Sequence, residues 1–164
     1  MNIALIGARA AGKTTVCRLL AKKLDKKLVS AEDEILKKTK MSAPGFIKDN
    51  SLSSYYDIEC EIIERISDFD DCVFDTTHSI VMRNENIINL KKNSIVVLLT
   101  ADMKTIANRL KTKKQDFGKD GDSLQHEAYE SRFRNAADYA IDTSGLSPEE
   151  ICDLISHYIL TEIR

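Results

Sequence analysis

Short apolar runs alternate along the chain with segments in which apolar residues recur every three or four positions. Runs typical of buried strands occupy residues 2–6, 26–30, 72–75, 94–100 and 138–142. Helical periodicity occupies residues 12–24, 31–39, 51–66, 83–91, 102–109 and 122–136, and a last segment runs from Ser147 nearly to the end. This alternation predicts an α/β fold, with a five-stranded parallel sheet between two helical layers. Ligands of such sheets bind at the carboxyl ends of the strands.

The first strand pattern leads into the stretch GARAAGKTT, which has the form G-x-x-x-x-G-K-T with Gly7, Gly12, Lys13 and Thr14 in the defining places. Backbone N–H groups in a strand-to-helix turn of this kind favour anions. Lys13 can reach the β- and γ-phosphates of a nucleotide, and the Thr14 hydroxyl can hold Mg²⁺. We therefore predict a phosphate loop for ATP; the alternative is a glycine-rich turn without a ligand. The predicted phosphate loop also includes Ala8, Arg9, Ala10, Ala11 and Thr15.

Composition and charge narrow the classes of protein. The chain has 164 residues, 43% of them hydrophobic and 30% charged, which fits one globular domain over residues 1–164. A net charge of −2 gives no broad basic surface for nucleic acid or anionic membranes. No apolar run approaches the roughly 20 residues of a membrane span. The start of the chain is predicted to be a core strand and not a signal peptide, so we expect a cytoplasmic protein.

Cysteine and histidine give no sign of a metal centre or a disulfide framework. The four cysteines form no C-x-x-C pair and are predicted to be buried, reduced thiols. The three histidines are scattered without zinc-like spacing. Residues 112–122 are polar and lysine-rich, which suits a mobile lid or an ordinary solvated loop.

The chain resembles the shikimate kinase family, within the P-loop small-molecule kinases. The stretches LIGARAAGKTTVCRLLAKKL, SAEDEILKKTKMS and ADYAIDTSGLSPEEI carry the resemblance, which spans nearly the whole chain. It implies an ATP-dependent kinase with Mg²⁺. Arg109 falls where the family places an arginine against one face of the adenine, and Pro148 where a proline covers the other face. The alternative for Arg109 is a solvated helix residue, and the alternative for Pro148 is a simple helix start.

The acceptor half of the family pattern is largely absent. The D-x-D motif is replaced by residues 30–32 (Ser-Ala-Glu), and the three glycines after the third strand by residues 77–79 (Thr-His-Ser). Arginines that the family directs at the shikimate carboxylate or carries in the lid are replaced by Tyr56, Asp116 and Tyr129. Because charged hydrogen bonds contribute roughly 1.5–3 kcal/mol each, shikimate is predicted to be a poor substrate.

Two acids are candidates for the chemistry. Glu32 aligns with the family's base-like aspartate, although it can equally be a helix-start carboxylate favoured by the helix dipole. Asp75 ends the apolar strand CVFD in the manner of a Walker B strand, so with Thr14 it is predicted to hold Mg²⁺; the alternative is a loop cap.

The acceptor region offers neutral side chains instead of the family's cations. Residues 76–79, together with Tyr55, Tyr56 and Tyr129, indicate a neutral hydroxyl compound or a base that stacks. His78 is either a proton acceptor or a surface residue. Four arginines can serve a nucleotide phosphate or be solvated: Arg65, Arg83, Arg132 and Arg134.

We therefore predict an ATP-dependent phosphotransferase that acts on a small-molecule hydroxyl other than shikimate. One alternative is a nucleoside monophosphate kinase, which requires arginines that converge on a second phosphate. The other is a nucleotide-binding sensor without acceptor chemistry. We expect a monomer with no nucleic-acid or membrane partner.

Overall fold

The computed structural model describes residues 1–112 and 122–162, and for residues 112 and 122–128 it describes the backbone alone. The strands are β1 (Asn2–Ile6), β2 (Lys27–Ser30), β3 (Cys72–Asp75), β4 (Ser94–Thr100) and β5 (Tyr139–Asp142). The helices are α1 (Lys13–Lys23), α2 (Ala31–Thr39), α3 (Ala43–Asp49), α4 (Leu52–Ser67), α5 (Asn84–Lys91), α6 (Met103–Thr112), α7 (Asp122–Ala136) and α8 (Pro148–Glu162), with a 3₁₀ turn at Ile80–Met82. Residues 113–121 of the predicted lid, including Asp116, lie outside the described residues.

The five strands form one sheet in the order β2-β3-β1-β4-β5, and every pair is parallel. The predicted parallel sheet is therefore confirmed. The central strand β1 is completely buried and leads directly into the phosphate loop. Because all the strands run in one direction, their carboxyl ends share the edge at which the loop lies.

Alternate residues of β1 face two separate hydrophobic cores, which fixes the three layers. Ala4 and Ile6 pack in a core with residues of α2, α4, α5 and α7. Ile3 and Leu5 pack in the opposite core with residues of α1 and α8. A strand covered on both faces requires apolar side chains at every position, which explains the continuous apolar runs of β1 and β4.

Serine side chains begin several helices by accepting a hydrogen bond from a backbone N–H in the first turn. At α8 the predicted capping box is present: Ser147 Oγ accepts from the Glu150 N–H at 3.1 Å, and a Glu150 carboxylate oxygen accepts from the Ser147 N–H at 2.7 Å. The short helix α3 was not predicted. Ser42 caps it, and Pro44 lies in its first turn, which is a helix-start signal.

The four cysteines are free thiols, as expected, and Cys60 is half-buried while the other three are buried. Among the described residues, no helix has the length and apolar character needed to cross a membrane.

Candidate active site

The phosphate loop joins the carboxyl end of β1 to α1, and its backbone requires glycine at two places. Gly7 has φ +151°, and a Cβ added there would lie 2.4 Å from the carbonyl oxygen of Leu99. Gly12 has φ +97° and immediately precedes α1, which no described side chain caps. The first N–H groups of α1 are therefore available to an anion. Of the other loop residues, Ala11 is buried, Ala8 and Ala10 are half-buried, and Arg9, Thr14 and Thr15 are exposed.

Lys13 is the first residue of α1, and its side chain folds back over the loop. Its Nζ donates hydrogen bonds to the carbonyl oxygens of Gly7 at 2.8 Å and Ala8 at 3.0 Å. Burial lowers the pKa of Lys13 to about 8, although the nearby Asp75 carboxylate opposes this shift. The ammonium group therefore lies inside the concavity of the loop, where a phosphate group can replace the two carbonyl contacts.

Asp75 is the last residue of β3 and lies beside Ser30 of β2 in the strand register. Burial raises the pKa of the Asp75 carboxyl, whereas a hydrogen bond with the Thr14 side chain and the charge of Lys13 act in the opposite direction. The two predicted magnesium ligands, Thr14 and Asp75, are therefore adjacent. The structure brings them together from the ends of two neighbouring elements.

This pair fits the few protein oxygens that a magnesium ion needs in a P-loop enzyme, because Mg²⁺ keeps several waters and phosphate oxygens as ligands. Within residues 1–112 and 122–162 there is no cluster of three or more carboxylate, histidine or cysteine side chains suited to a metal. The Ser30 side chain caps α2, because its Oγ accepts a hydrogen bond from the Asp33 N–H at 3.2 Å.

The predicted adenine-binding residues lie near the same edge of the sheet. Arg109 Nη1 donates to the carbonyl oxygen of Ala10 in the loop at 3.2 Å and to Thr143 Oγ1 at 3.3 Å. Thr143 follows β5 and belongs to the turn that leads to Pro148, the first residue of α8. Arg109 thus connects the phosphate loop with the segment before Pro148, a bridge that sequence reasoning did not identify.

Glu32 lies in the first turn of α2 and is exposed. Its charge acts on both Lys13 and Tyr55, so the carboxylate is near the phosphate loop and α4. This position is compatible with a group near an attacking hydroxyl and also with the helix-start alternative.

Glu59 is a buried carboxylate at the centre of the acceptor region, and sequence reasoning missed it. Thr77 Oγ1 donates to Glu59 Oε1, Ser79 Oγ donates to the same oxygen at 2.6 Å, and Asn86 Nδ2 donates to Oε2 at 3.4 Å. Burial raises the pKa of Glu59, and these hydrogen bonds oppose the shift. The sequence offered one sign that Glu59 is buried, because Glu59 lies on the apolar stripe of α4, four residues after Tyr55.

The Glu59 network changes the interpretation of residues 76–79. The hydroxyls of Thr77 and Ser79 point toward Glu59, and Thr76 Oγ1 donates to the Leu5 carbonyl oxygen at 2.7 Å. The three side chains are buried, so their hydroxyls hold the loop and do not offer the acceptor contacts expected from the sequence. His78, in contrast, is exposed.

The tyrosines at the family's arginine positions lie beside two arginines from other positions. The guanidinium carbon of Arg83 lies 5.9 Å from the centre of the Tyr56 ring. Arg132 Nη1 lies 4.0 Å from the sulfur of Met82. Burial raises the pKa of Tyr56, as do Tyr129 and the Glu59 carboxylate, whereas the charges of Arg83 and Arg132 oppose the increase. Tyr56, Tyr129, Arg83 and Arg132 therefore form one group, here called the Tyr/Arg cluster.

A cavity of about 360 Å³ opens between the end of β4, α6 and α7. It touches the phosphate loop at Ala8 and Ala11, but Lys13, Asp75 and Arg109 do not line it. The candidate chemistry therefore rests on the loop and the neighbouring strand ends and not on this cavity.

Known proteins resemble this chain along nearly its whole length. The family model for shikimate kinase matches residues 9–160. The shikimate kinase of Thermodesulfovibrio yellowstonii is 35% identical over 94% of this chain and 92% of its own, and that of Caldicellulosiruptor bescii is 30% identical over 99% and 98%. The fold matches that of the Acinetobacter baumannii shikimate kinase, solved with shikimate, at a TM-score of 0.88 and 24% identity over 98% of this chain and 93% of that one.

The family match includes most of the phosphate loop and the elements that carry Lys13, Thr14 and Asp75. The protein is an ATP-dependent small-molecule kinase whose phosphate donor is ATP with Mg²⁺. The chain belongs to the shikimate kinase family.

Proposed function

We propose that this kinase transfers the γ-phosphate of ATP to a hydroxyl group of a small molecule other than shikimate. The observation that carries the proposal is the remodelled acceptor region. Tyr56 and Tyr129 stand where the family has arginines, and side chains at residues 77–79 stand where it has glycines. Thr77 and Ser79 direct their hydroxyls at Glu59 and His78 is exposed, so this segment lacks the close approach of the backbone that glycine permits.

Each site residue has a role in this proposal. The N–H groups of residues 7–15 hold the phosphates, and Lys13 stabilises the charge of the transferred group. Thr14 and Asp75 hold Mg²⁺, which neutralises phosphate charge when bound. Arg109 and Pro148 enclose the adenine, with the guanidinium over the ring face. Glu32 accepts the proton of the attacking hydroxyl.

Shikimate itself is the second candidate, and the relatives favour it. Proteins named shikimate kinase are 30–35% identical to this chain over more than nine-tenths of its length. A nucleoside monophosphate kinase is less well supported, because two of the four candidate arginines, Arg65 and Arg134, already pair with Glu34 and Glu130. A sensor without acceptor chemistry predicts ATP binding without turnover. We also propose that the kinase acts as a monomer.

A coupled ADP-release assay with millimolar shikimate tests the proposal, with Lys13→Ala as the inactive control. Loss of two charged hydrogen bonds, at roughly 1.5–3 kcal/mol each, predicts shikimate recognition about 10²- to 10⁴-fold weaker than a site with both arginines. We expect negligible turnover of shikimate by the wild type, and turnover with another hydroxyl compound. Robust turnover with a shikimate KM below about 1 mM would contradict the proposal and show that shikimate is the acceptor, as in the family's own reaction.

A further inference from the structure

We propose that Arg83 and Arg132 determine acceptor specificity by binding an anionic group of the acceptor, a carboxylate or a phosphate, over Tyr56 and Tyr129. This inference rests on the proposed function, since it names the class of acceptor for the same site. Neither arginine occupies a position at which the family places its acceptor cations. The pair arises from two separate elements that the fold brings to one surface.

Arg83 reaches this surface from the segment that follows the 3₁₀ turn. Its guanidinium is 5.9 Å from the Tyr56 ring centre, within the range of a cation–π contact. Nη2 also lies 3.1 Å from Asp57 Oδ1 and 3.4 Å from Ser53 Oγ, and Asp57 is largely exposed. Because a guanidinium has five N–H donors in a fixed plane, these contacts leave donors for a ligand.

Arg132 reaches the same surface from α7. It is exposed, and its Nη1 lies 4.0 Å from Met82, the residue immediately before Arg83. It follows Tyr129 by three positions, which places both side chains on the same face of the helix. The Cα atom of residue 132 lies about 4.5 Å farther along α7 than that of residue 129, so the arginine side chain begins from a different point on the helix. An acceptor bound by Arg132 therefore differs in shape from one bound by an arginine at position 129.

Like Arg83, which pairs with Asp57, the other two candidate arginines make ion pairs, but their partners lie on α2 and α7. Arg65 contacts Glu34, which also pairs with Lys37, and Arg134 pairs with Glu130 one turn earlier on α7 at 2.8 Å. Arg132 makes no ion pair with any carboxylate of the described residues. Two phenol groups and two guanidinium groups at one surface match an anion that accepts several charge-assisted hydrogen bonds.

The experiment measures anion binding directly, in the full-length protein with Mg·ADP filling the phosphate loop. Glycerol, glycerate and glycerol 3-phosphate are titrated while the tyrosine ring signals are followed by NMR, with Tyr56→Phe and Tyr129→Phe used to assign the peaks. We expect saturable shifts of both signals with at least one of the two anions and none with glycerol at the same concentrations. The tighter of the two anions identifies the acceptor group as a carboxylate or a phosphate.

The variants Arg83→Ala and Arg132→Ala should each weaken anion binding by roughly 10- to 100-fold. Arg65→Ala and Arg134→Ala are matched controls on α4 and α7 and should bind as the wild type does. Absence of saturable shifts with both anions, or equal anion binding after removal of either arginine of the cluster, overturns the inference. Anion binding together with robust turnover of shikimate would refute the proposed acceptor while supporting the anion site.

Discussion

At the residue scale, the phosphate loop contains a lysine, Lys13, that holds its proton less tightly than an ordinary lysine does. The Lys13 ammonium group donates hydrogen bonds to two carbonyl oxygens, and burial lowers its pKa to about 8. The charge of a bound nucleotide favours the protonated lysine and raises this pKa again. Nucleotide binding and proton binding at Lys13 are therefore coupled.

This coupling predicts the pH dependence of ATP affinity. Below pH 8 the lysine is already protonated, so affinity should be nearly independent of pH; above it, binding must take up a proton, and affinity should fall by up to about 10-fold per pH unit. Calorimetry in buffers of different ionisation enthalpy measures the uptake. In Lys13→Arg, whose guanidinium stays protonated, the pH dependence should disappear. A wild-type affinity that stays constant from about pH 7 to pH 9.5 would contradict the coupling.

Asp75 and Ser30 offer a second test, because the two side chains lie next to each other at the ends of β3 and β2. Asp75→Asn keeps the shape and removes the charge, so the Mg²⁺ concentration for half-maximal activity should rise at least about 10-fold, corresponding to one charged contact. Adding Ser30→Asp should partly restore Mg²⁺ affinity, and aspartate can still cap α2. An unchanged Mg²⁺ requirement in Asp75→Asn would identify Asp75 as a loop cap.

At the element scale, hydrophobic periodicity predicted each strand to within one or two residues, since a buried parallel strand requires a continuous apolar run. It missed α3, which is only seven residues long and contains Pro44 and Gly45, although Ala43, Phe46 and Ile47 pack against the core. It also missed the role of Glu59. The periodicity of α4 places this glutamate in the core, but its hydrogen-bond partners come from a loop and from α5, whose positions depend on the folded chain.

The Glu59 network holds α4 against residues 77–79, which predicts a pH-dependent contribution to stability. Because burial raises the pKa of Glu59, the folded state binds its proton more tightly than the unfolded state. Stability from this group is therefore lost as the pH rises from about 4.5 through the raised value. Glu59→Gln should remove this loss, and the stability of the wild type should fall relative to the variant over that range.

Urea denaturation at several pH values measures the difference, and comparison with Glu59→Gln removes the contribution of other titrating groups. Glu59→Ala should lower the free energy of unfolding by about 2–4 kcal/mol, because two buried hydroxyls lose their acceptor. Parallel pH profiles for the wild type and Glu59→Gln would show that Glu59 does not titrate as the burial argument requires.

At the scale of the whole molecule, the site is built from residues that are distant in sequence. The loop motif is local, so Gly7, Gly12 and Lys13 could be predicted from spacing alone. Arg109 and Thr143 meet only because α6 and β5 reach the same edge of the sheet. The Tyr/Arg cluster likewise depends on how α7 packs against the 3₁₀ turn. The sequence therefore offered Arg83 and Arg132 among four candidate arginines but could not show which of the four lie beside the tyrosines.

The whole-molecule consequence of the intact ATP half is a large thermal stabilisation by nucleotide. A ligand at 100 times its Kd adds about 2.7 kcal/mol to the free energy of unfolding, which corresponds to a rise in Tm of roughly 5–10 °C for a chain of this size. We expect this rise with Mg·ATP in the wild type and in the control Arg65→Ala, because the Arg65 guanidinium of the wild type contacts Glu34. Lys13→Ala should show little rise in Tm, because the phosphates lose the ammonium group of the loop. A thermal-shift titration measures all three, and an equal rise for Lys13→Ala would mean that ATP binding does not need the Lys13 ammonium group.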